Sequence, residues 1–483
     1  MVKKLKSEWL NQPGINILAG IVVALALIPE ALAFSIIAGV DPMVGLYAAF
    51  IIATVTAIIG GRPAMISGAT GAVALLVTPL VKDYGVEYLF AATILMGLIQ
   101  LTLGILKVGR LMKFIPRSVM IGFVNALGIM IFMAQIKHIF GISISTYIYV
   151  IITLLIVYII PRFFKAIPAT LIAIVVLTAF YMYTGSDVRT VGDLGSIKQT
   201  LPHFLFPNVP FNLETFQIIF PYSLSMAIVG LVESLLTAKI VDDATDTYSS
   251  KNKESRGQGI ANLITGFFGG MGGCAMIGQT LINVKSGANS RLSTFTAGIV
   301  LIFMVIVLGG VVIQIPMPIL AGIMVMVSLG TIDWNSFKYI KKAPKTDAIV
   351  MVLTVIIVLM THNLAIGVVV GVIFSALFFA TKISKVEVVY EDLGKKHLFS
   401  FKGQIFFVSI DSMMEQIDLN IEDSIIELNF NHAHLWDDSA VDAIDTIVRK
   451  FEEKNNIVYV EKLNADSRKI VSEISQLNEN HLN

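Results

Sequence analysis

Polar side chains lie beside a glycine-rich break in an otherwise apolar part of the chain. The stretch from Gly272 to Thr280 reads Gly-Gly-Cys-Ala-Met-Ile-Gly-Gln-Thr. Because glycine inside a helix costs about 0.5–1 kcal/mol relative to alanine, the leading glycines favour an extended segment, with a short helix that starts near Gly278. The free N–H groups at such a helix start attract an anion when they lie in the middle of a membrane. The candidate anion-binding residues here are Ala275, Met276, Ile277, Gly278, Gln279 and Thr280.

An earlier stretch, from Gly60 to Thr70, has the same character. Its Ala64-Met65-Ile66 matches Ala275-Met276-Ile277, 211 positions later. The hydroxyl groups of Ser67 and Thr70 could either orient a bound oxyanion or only cap the helix start. Interrupted apolar segments at corresponding positions of two halves are typical of a transporter's binding site. The pair of stretches therefore predicts a polar site between two facing half-helices.

Two glutamates fall inside apolar runs, where carboxyl groups are rare and usually functional. Glu233 and Thr237 are four positions apart and share one face of a helix, a spacing that suits a pair of cation ligands. A protonated glutamate with a structural role is the alternative for Glu233. Glu30 follows Pro29, so its carboxyl group could serve ion coupling or only satisfy the backbone at a proline kink. We predict that Glu233, Thr237 and Glu30 form a cation-binding or coupling site.

The composition indicates a protein that crosses a lipid bilayer many times. Of 483 residues, 55% are hydrophobic and only 14% are charged, which is too apolar for a soluble domain of this size. A net charge of +1 gives no reason to expect a nucleic-acid partner. The sequence has no nucleotide-binding glycine loop, no catalytic triad and no Cys and His set with metal-ligand spacing. We therefore expect neither an enzyme nor a bound cofactor, apart from a possible coupling ion.

Fourteen apolar runs are long enough to span the membrane, or to cross half of it as broken helices. Seven lie in each half of a membrane domain at 17–383, with the halves at 17–184 and 215–383. A second short motif occurs in both halves and supports the repeat. It is Ile115-Pro116 in the first half and Ile315-Pro316 in the second, 200 positions later. Because seven is odd, the halves are predicted to be inverted relative to each other. The runs are Ile17–Ile37, Val44–Ile59, Ser67–Val81, Tyr88–Leu106, Phe114–Ala134, Tyr147–Ile160, Pro168–Tyr183, Phe216–Val241, Gly257–Phe268, Ile277–Val284, Phe295–Val312, Pro316–Leu329, Ala348–Met360 and Leu364–Thr381.

Basic residues divide the loops into two sets. If the N-terminal segment 1–16 is cytoplasmic, the loops on its side of the membrane hold nearly all the Lys and Arg residues, as the positive-inside rule requires. The loops on the other side hold only Lys82, Lys137 and a stretch of mixed charge at 185–214. The pattern predicts a multi-pass cell-membrane protein with both termini cytoplasmic. One cytoplasmic loop is expected to hold three solvated acidic residues, Asp242, Asp243 and Asp246.

After Thr381 the charge rises, and the pattern becomes that of a small α/β domain. We place this cytoplasmic domain at 387–475 and a polar tail at 476–483. One helix is predicted at Ser439–Phe451, with Ser439 as its N-cap. The predicted strands are Glu387–Tyr390, Leu398–Phe401, Ile405–Ile410, Ser424–Asn429 and Ile457–Val460.

Three motifs resemble those of the sulfate permease (SulP) family. Pro-Glu-Ala-Leu-Ala-Phe at 29–34 resembles the family signature, and Gln-Gly-Ile-Ala-Asn at 258–262 resembles its second-half motif. Trp-Asp-Asp-Ser-Ala-Val-Asp at 436–442 resembles the strand-to-helix turn of a STAS domain, the family's usual C-terminal module. The likeness covers nearly the whole chain. It implies a 7+7 inverted repeat, broken half-helices at segments 3 and 10, and a core domain that moves against a gate domain as in an elevator. It also implies a homodimer and a small inorganic anion, bicarbonate or sulfate, as the substrate.

One position departs from the family pattern. Many members carry an arginine just before the position of Thr280, where this chain has Gln279. The family's sodium-coupled bicarbonate transporters also lack that arginine, and they bind Na⁺ through a carboxylate and a hydroxyl group that match Glu233 and Thr237. The resemblance therefore favours Na⁺-coupled uptake. A proton-coupled sulfate importer that uses Glu30 or Glu233 is an alternative, as is an anion channel or exchanger regulated by its STAS domain.

Overall fold

The structure is a computed structural model that describes residues 8–163, 168–193 and 199–475. The predicted tail at 476–483, and residues 1–7 of the predicted N-terminal segment, lie outside the described residues. The chain divides into two compact units, Met1–Val372 and Ile373–Asn483. The boundary falls within the last membrane helix.

A helix occurs at each of the fourteen predicted membrane segments. The helices of this part of the chain are α1 (Pro13–Ala38), α2 (Pro42–Ile59), α3 (Gly71–Tyr84), α4 (Val86–Ile105), α5 (Arg117–Ile139), α6 (Ile144–Phe163), α7 (Ala169–Thr184), α8 (Leu213–Thr245), α9 (Lys251–Phe267), α10 (Ile277–Lys285), α11 (Arg291–Val312), α12 (Met317–Thr331), α13 (Ser336–Lys342), α14 (Lys345–Thr361) and α15 (Leu364–Ile383). Among the described residues, nine helical segments are long and apolar enough to cross a membrane. Helices α3 and α10, with 14 and 9 residues, are too short to do so and are half-helices, as predicted. Helix α13 lies in a loop that was predicted to be basic but not helical.

A three-residue strand precedes each half-helix. Strand β1 (Ser67–Ala69) leads into α3, and β2 (Gly273–Ala275) leads into α10. The strands pair antiparallel, with Gly68 opposite Cys274. A Cβ atom at Gly273 would lie 2.0 Å from the carbonyl oxygen of Gly68, so only glycine allows the strands to approach this closely. The extended segment predicted from the leading glycines is thus confirmed.

The helices of the first unit form two bundles. The core bundle consists of α1–α4 and α8–α11, and the gate bundle consists of α5–α7, α12, α14 and the first half of α15. Each bundle therefore combines corresponding segments of the two halves, as the inverted repeat requires. Within the core, α4 packs along α9 at very short range, because a Cβ atom at Gly97 would lie only 2.4 Å from the main-chain nitrogen of Leu263.

The structure aligns the two halves differently from the Ala-Met-Ile match between residues 64–66 and 275–277. Helices α3 and α10 begin at Gly71 and Ile277, so equivalent positions of the third and tenth segments are 206 residues apart rather than 211. Ala64 lies before β1 with a left-handed φ of 61°, whereas Ala275 lies within β2. The Ala-Met-Ile alignment is therefore wrong. The Ile-Pro match is confirmed, since α5 and α12 begin directly after Pro116 and Pro316.

Beyond α15, the described residues of the second unit form a four-stranded sheet and three helices. The strands β3 (Glu387–Asp392), β4 (Lys396–Ile405), β5 (Ile425–Leu435) and β6 (Ile457–Glu461) lie in this order across the sheet; β3 pairs antiparallel with β4, and the other pairs are parallel. The helices are α16 (Ile410–Met414), α17 (Asp438–Glu452) and α18 (Ala465–Ile474). Buried side chains of the sheet and of α17 form one hydrophobic core, which includes Phe399, Phe401, Phe430, Ile444 and Phe451. A small α/β domain is therefore confirmed.

Two local predictions for this unit are wrong. The segment Ile405–Ile410 is not a strand, because Ile405 ends β4 and Ile410 begins α16. Between them the Ser409 hydroxyl accepts a hydrogen bond from the Phe406 N–H at 2.9 Å, which closes a turn. The N-cap of α17 is Asp437 rather than Ser439, since the Asp437 carboxylate accepts the N–H of the third residue of the helix.

The close approach of α4 and α9 predicts a strict size limit at Gly97. We expect Gly97→Val to lower the free energy of unfolding by about 1–3 kcal/mol or to prevent folding, because overpacked cores cost this much. The matched control is Gly310→Val, since a Cβ atom at Gly310 meets no atom within 4 Å. Thermal unfolding of the purified variants measures the difference, and equal melting temperatures would contradict the expectation.

Candidate anion and cation site

A cavity of about 330 Å³ lies between the core and gate bundles. Its walls come from both bundles, so a change in their relative position would change its shape. The core contributes Glu30, Phe34, Thr70, Gly71, Glu233, Met276, Ile277, Gly278, Gln279, Leu281 and Ile282, and the gate contributes Phe123, Val124, Leu127, Ile131, Met326, Val327, Gly330 and Thr331. Sequence reasoning missed the gate residues, because apolar side chains on a membrane helix carry no signal that separates a cavity wall from a lipid-facing surface.

Both half-helices begin at this cavity. Gly71 is the first residue of α3 and Ile277 is the first residue of α10, and both line the wall. The first N–H groups of a helix have no partner within it, and the helix dipole places partial positive charge there. Two such ends at one cavity form a site that suits a small anion.

Two carboxyl groups share this wall with the helix starts. The Glu30 carboxyl group and the side-chain amide of Gln279 line the wall together. The Glu233 carboxylate accepts a hydrogen bond from the Cys274 thiol at 3.0 Å, and the same sulfur lies 3.2 Å from the Thr70 hydroxyl. Sequence reasoning did not identify Cys274, which connects Thr70 to Glu233. Thr70 stands at the N-cap position of α3, but its side chain makes no capping hydrogen bond.

Three of the predicted anion-binding residues lie behind the cavity wall. Ser67, Ala275 and Thr280 are fully buried in the core. Each holds main chain or a neighbouring side chain in place. The Ser67 hydroxyl accepts from Gln258 at 2.7 Å, the Ala275 N–H donates to Ser234 at 3.0 Å, and the Thr280 hydroxyl accepts from the Ile66 N–H at 3.0 Å.

Thr237 lies one helical turn beyond Glu233 and is fully buried. Its hydroxyl donates to the main-chain carbonyl of Glu233 at 2.7 Å, and Thr237 does not line the cavity. The predicted pair therefore shares one helix face, but only Glu233 reaches the cavity wall. The oxygen lone pairs of the Thr237 hydroxyl still have capacity for a cation.

A buried polar network holds the two strands from behind. The Asn262 side chain pairs with the main chain of Gly273 in both directions, at 2.8 Å and 3.0 Å. The Glu254 carboxylate accepts the N–H groups of Gly61 and Arg62, at 2.6 Å and 3.1 Å. These side chains fix the segments that lead to both half-helices.

The expectation for the acidic loop is wrong in two respects: Asp242 and Asp243 lie in the last turn of α8 and not in a loop, and Asp242 is not solvated. Asp243 and Asp246 are exposed, as predicted, but Asp242 is buried. Its carboxylate forms ion pairs with Arg62 at 3.1 Å and with Lys251 at 2.6 Å. The tertiary fold brings Arg62 from a distant loop, and this contact cannot be read from the local charge pattern.

The cavity lies toward one end of the membrane domain. We call this the basic end, because more than half of the Lys and Arg residues of the membrane domain lie in the connections α4–α5, α8–α9, α10–α11 and α12–α14 or in the helix turns directly beside them. The cavity residues Ile282 and Thr331 lie near the ends of α10 and α12 that lead into two of these connections. At the opposite end, α1 of the core lies against α5 and α12 of the gate, and only about 10 Å³ of space is left between them. The structure thus shows the site closed on that side.

Because the Asn262 side chain makes two hydrogen bonds to Gly273, we expect its truncation to reduce stability strongly. We expect Asn262→Ala to lower the free energy of unfolding by at least about 1–3 kcal/mol, because it leaves the buried Gly273 N–H without its partner. Asn208→Ala, at an exposed loop position, is the control. Thermal unfolding in detergent tests this, and a melting temperature like that of the control would contradict the proposed support of β2.

Comparisons with known proteins identify the family. The profile of the sulfate permease family matches residues 15–158 and 143–354. The putative sulfate transporter YbaR of Bacillus subtilis is 55% identical over 98% of this chain and 99% of its own length. The bicarbonate transporter BicA of Picosynechococcus is 27% identical over 77% of this chain and 71% of its own. These relatives are named as transporters, in agreement with the expectation that the chain is not an enzyme.

Solved structures show the same architecture. The transmembrane domain of a cyanobacterial bicarbonate transporter BicA superposes with a TM-score of 0.65 at 26% identity, over 75% of this chain and 96% of that one. The murine anion transporter Slc26a9, in its inward-facing state, superposes with a TM-score of 0.84 over 97% of this chain and 89% of that one. At 17% identity, the latter supports the fold alone, including the small C-terminal domain. On the profile match and the 55% identity, the chain belongs to the sulfate permease family.

Proposed function

We propose that this protein is a secondary active transporter that carries a small inorganic oxyanion, bicarbonate or sulfate, across the cell membrane. The observation that carries this proposal is the cavity between the two bundles into which both half-helices direct their N-terminal ends. Sulfate and bicarbonate both present oxygen acceptors to such N–H groups. The names of the relatives support the same two anions.

The charge of the cavity supports coupling to a cation. Among the described residues that line it there is no Lys, Arg or His, while Glu30 and Glu233 add negative charge. An anion moved from water into this environment loses hydration, and the partial charges of two helix ends must replace it. A Na⁺ ion held by Glu233, with Thr237 one turn away, would supply the missing positive charge. We therefore propose Na⁺-coupled symport, with the anion at Thr70 and Met276–Gln279 and with Ser67, Ala275 and Thr280 supporting it from behind.

The same geometry leaves a proton as the second candidate for the coupling ion. Glu30 and Glu233 are both buried carboxyl groups at the anion cavity, and either could carry a proton together with sulfate. Their position at the wall is the observation that favours this alternative. A channel or an exchanger lacks such a specific observation.

We further propose that the core bundle carries the anion by an elevator movement against the gate. Most of the polar groups of the cavity belong to the core, while the gate wall is nearly all apolar. A core that slides along an apolar wall exchanges few specific contacts, which suits a movement with a low barrier. We assign the basic end to the cytoplasm by the positive-inside rule, which makes this conformation inward-facing.

The C-terminal α/β unit is proposed to be a STAS-like cytoplasmic domain that regulates or assembles the transporter. The motif at 436–442 supports this, since it forms the turn from β5 into α17 that the resemblance implies. A homodimer is proposed from the family resemblance. No nucleic-acid partner and no resident cofactor are part of the proposal.

Uptake into proteoliposomes tests the function and its coupling together. We expect labelled bicarbonate or sulfate to accumulate with saturable kinetics and only when an inward Na⁺ gradient is present. Glu233→Gln should lower Na⁺-driven uptake by about tenfold or more, which corresponds to about 1.4 kcal/mol of lost stabilisation. Glu214→Gln, an exposed acid in the first turn of the same helix, is the control. Dependence on a proton gradient instead of Na⁺ would support the alternative, and wild-type behaviour of Glu233→Gln would refute both forms of coupling at this residue.

A fixed charge at Gln279 tests whether a cation neutralises the anion. Two unit charges ~4 Å apart attract by about 4 kcal/mol at an effective dielectric constant of 20, enough to replace a bound ion. We expect Gln279→Arg to transport more slowly but with a smaller ratio of uptake with and without Na⁺, since the guanidinium group carries its own desolvation penalty. The control is Gln314→Arg, at an exposed position after α11. An active Gln279→Arg protein with the wild-type ratio would contradict charge compensation at this position.

A further inference from the structure

The two bundles close against each other at the end opposite the cavity, around a gap of about 10 Å³. This closed contact is the part of the bundle interface that must open if the site is to reach the other side of the membrane. Its residues are Ala33 and Ile36 of α1, Gln135 and His138 of α5, and Met317, Leu320 and Ala321 of α12. All are apolar except Gln135 and His138.

Both polar residues have an unpaired nitrogen in this contact. The side-chain Nε2 atoms of Gln135 and His138 are buried and have no hydrogen-bond partner among the described residues. Gln135 as a whole is only 4% exposed. The two residues are three positions apart, so their side chains share one face of α5. A buried polar group left unpaired costs about 1–3 kcal/mol, so the closed contact is destabilised by this pair.

The gap leaves little room for a water molecule that could pair with the two nitrogens. Its volume is at the lower limit for a single water molecule, which needs about 10–15 Å³ and several polar partners. Polar groups that serve no contact in the closed state are expected to serve one in another state. When α1 moves away, the two nitrogens become accessible from the side opposite the basic end.

Cationic side chains lie beside the same pair. Lys137 and Arg189 are close enough to act electrostatically on the His138 ring. The main-chain carbonyl of Arg189 accepts a hydrogen bond from the Met317 N–H at 2.8 Å, which places this segment at the start of α12. Both side chains therefore contribute positive potential at the closed contact. A small anion that approaches from this side would be attracted to this point.

We infer that Gln135 and His138 form a docking site on the gate for the transported anion, occupied when the closed contact is open. The ligand class is a small inorganic oxyanion, whose oxygens accept N–H donation from the Gln135 amide and the His138 ring. This site belongs to the gate, whereas the half-helix ends belong to the core. The anion would be held first by the gate and then by the core. The inference rests on the proposed transport function.

Transport kinetics measured from each side test the docking site in the full-length protein. We use Gln135→Met and His138→Phe, which remove the donors and keep an apolar side chain of suitable size. Each should raise the KM for anion supplied on the outer side, which is the side opposite the basic end, by about tenfold, equivalent to about 1.4 kcal/mol. The KM for anion supplied at the basic end should stay within about twofold of the wild-type value. His138→Gln, which retains an N–H donor, should fall between wild type and His138→Phe. Ile136→Leu, exposed on the same helix, is the control for insertion and turnover.

A second measurement does not require transport. Ala33→Cys places a thiol in the closed contact, and a membrane-impermeant maleimide should label it from the outer side only when the contact opens. The native Cys274 is fully buried, so wild-type protein serves as the blank. Bicarbonate, sulfate, nitrate and chloride are tested as protecting anions. We expect protection by at least one anion in Ala33→Cys, and its loss when Gln135→Met is added.

The outcomes separate the two proposals. Unchanged KM values on the outer side, or equal changes on both sides, would overturn the docking site and leave Gln135 and His138 as a pair bridged by a water molecule. Protection that persists in Gln135→Met would overturn it as well. If wild-type protein carried neither bicarbonate nor sulfate, the proposed function would fail, and the labelling experiment with the four anions would still decide the docking site.

Discussion

The pairing of β1 with β2 inside the membrane domain is the constraint on which the site depends. Backbone that is neither helical nor solvated is tolerated at this depth only if every N–H and C=O group finds a partner. Each strand satisfies the other, and side chains from α8, α9 and α10 complete the pairing. The position of both half-helices therefore follows from main-chain hydrogen bonds and not from the substrate.

This constraint explains why so much of the polar chemistry lies behind the cavity and not in it. Ser67 and Thr280 make contacts that hold the strands, as Asn262 does, and so they are buried. The polar groups of the cavity wall are then the helix ends, two carboxyl groups, the Gln279 amide and the hydroxyl groups of Thr70 and Thr331. Partial charges of helix ends are weaker than a fixed cation, which is the physical reason behind the proposed coupling to a cation.

The two ends of the bundle interface differ in how closely the bundles meet. Toward the basic end the bundles enclose the cavity, and toward the other end they meet in a close contact. This contact is apolar apart from Gln135 and His138, whose side-chain nitrogens have no partner among the described residues and make it less stable than a fully apolar contact would be. A contact that is closed but destabilised in this way suits the proposed movement, in which each end of the interface opens in turn.

The sequence by itself determined the membrane class, the fourteen segments, the inverted halves and the broken third and tenth segments. Length, hydropathy and glycine content act locally, so a single sequence reveals them. It also predicted Glu30, Glu233, Thr70 and Gln279 as site residues through their rarity or position in apolar runs, and all four line the cavity. Only the tertiary structure decided the pairing of Ser67 with Ala275, which shifts the repeat away from the Ala-Met-Ile echo. It also decided the ion pair of Asp242 with Arg62, the link through Cys274 and the apolar gate wall. These features join residues that are far apart in the chain, and local patterns do not specify which distant side chain will arrive.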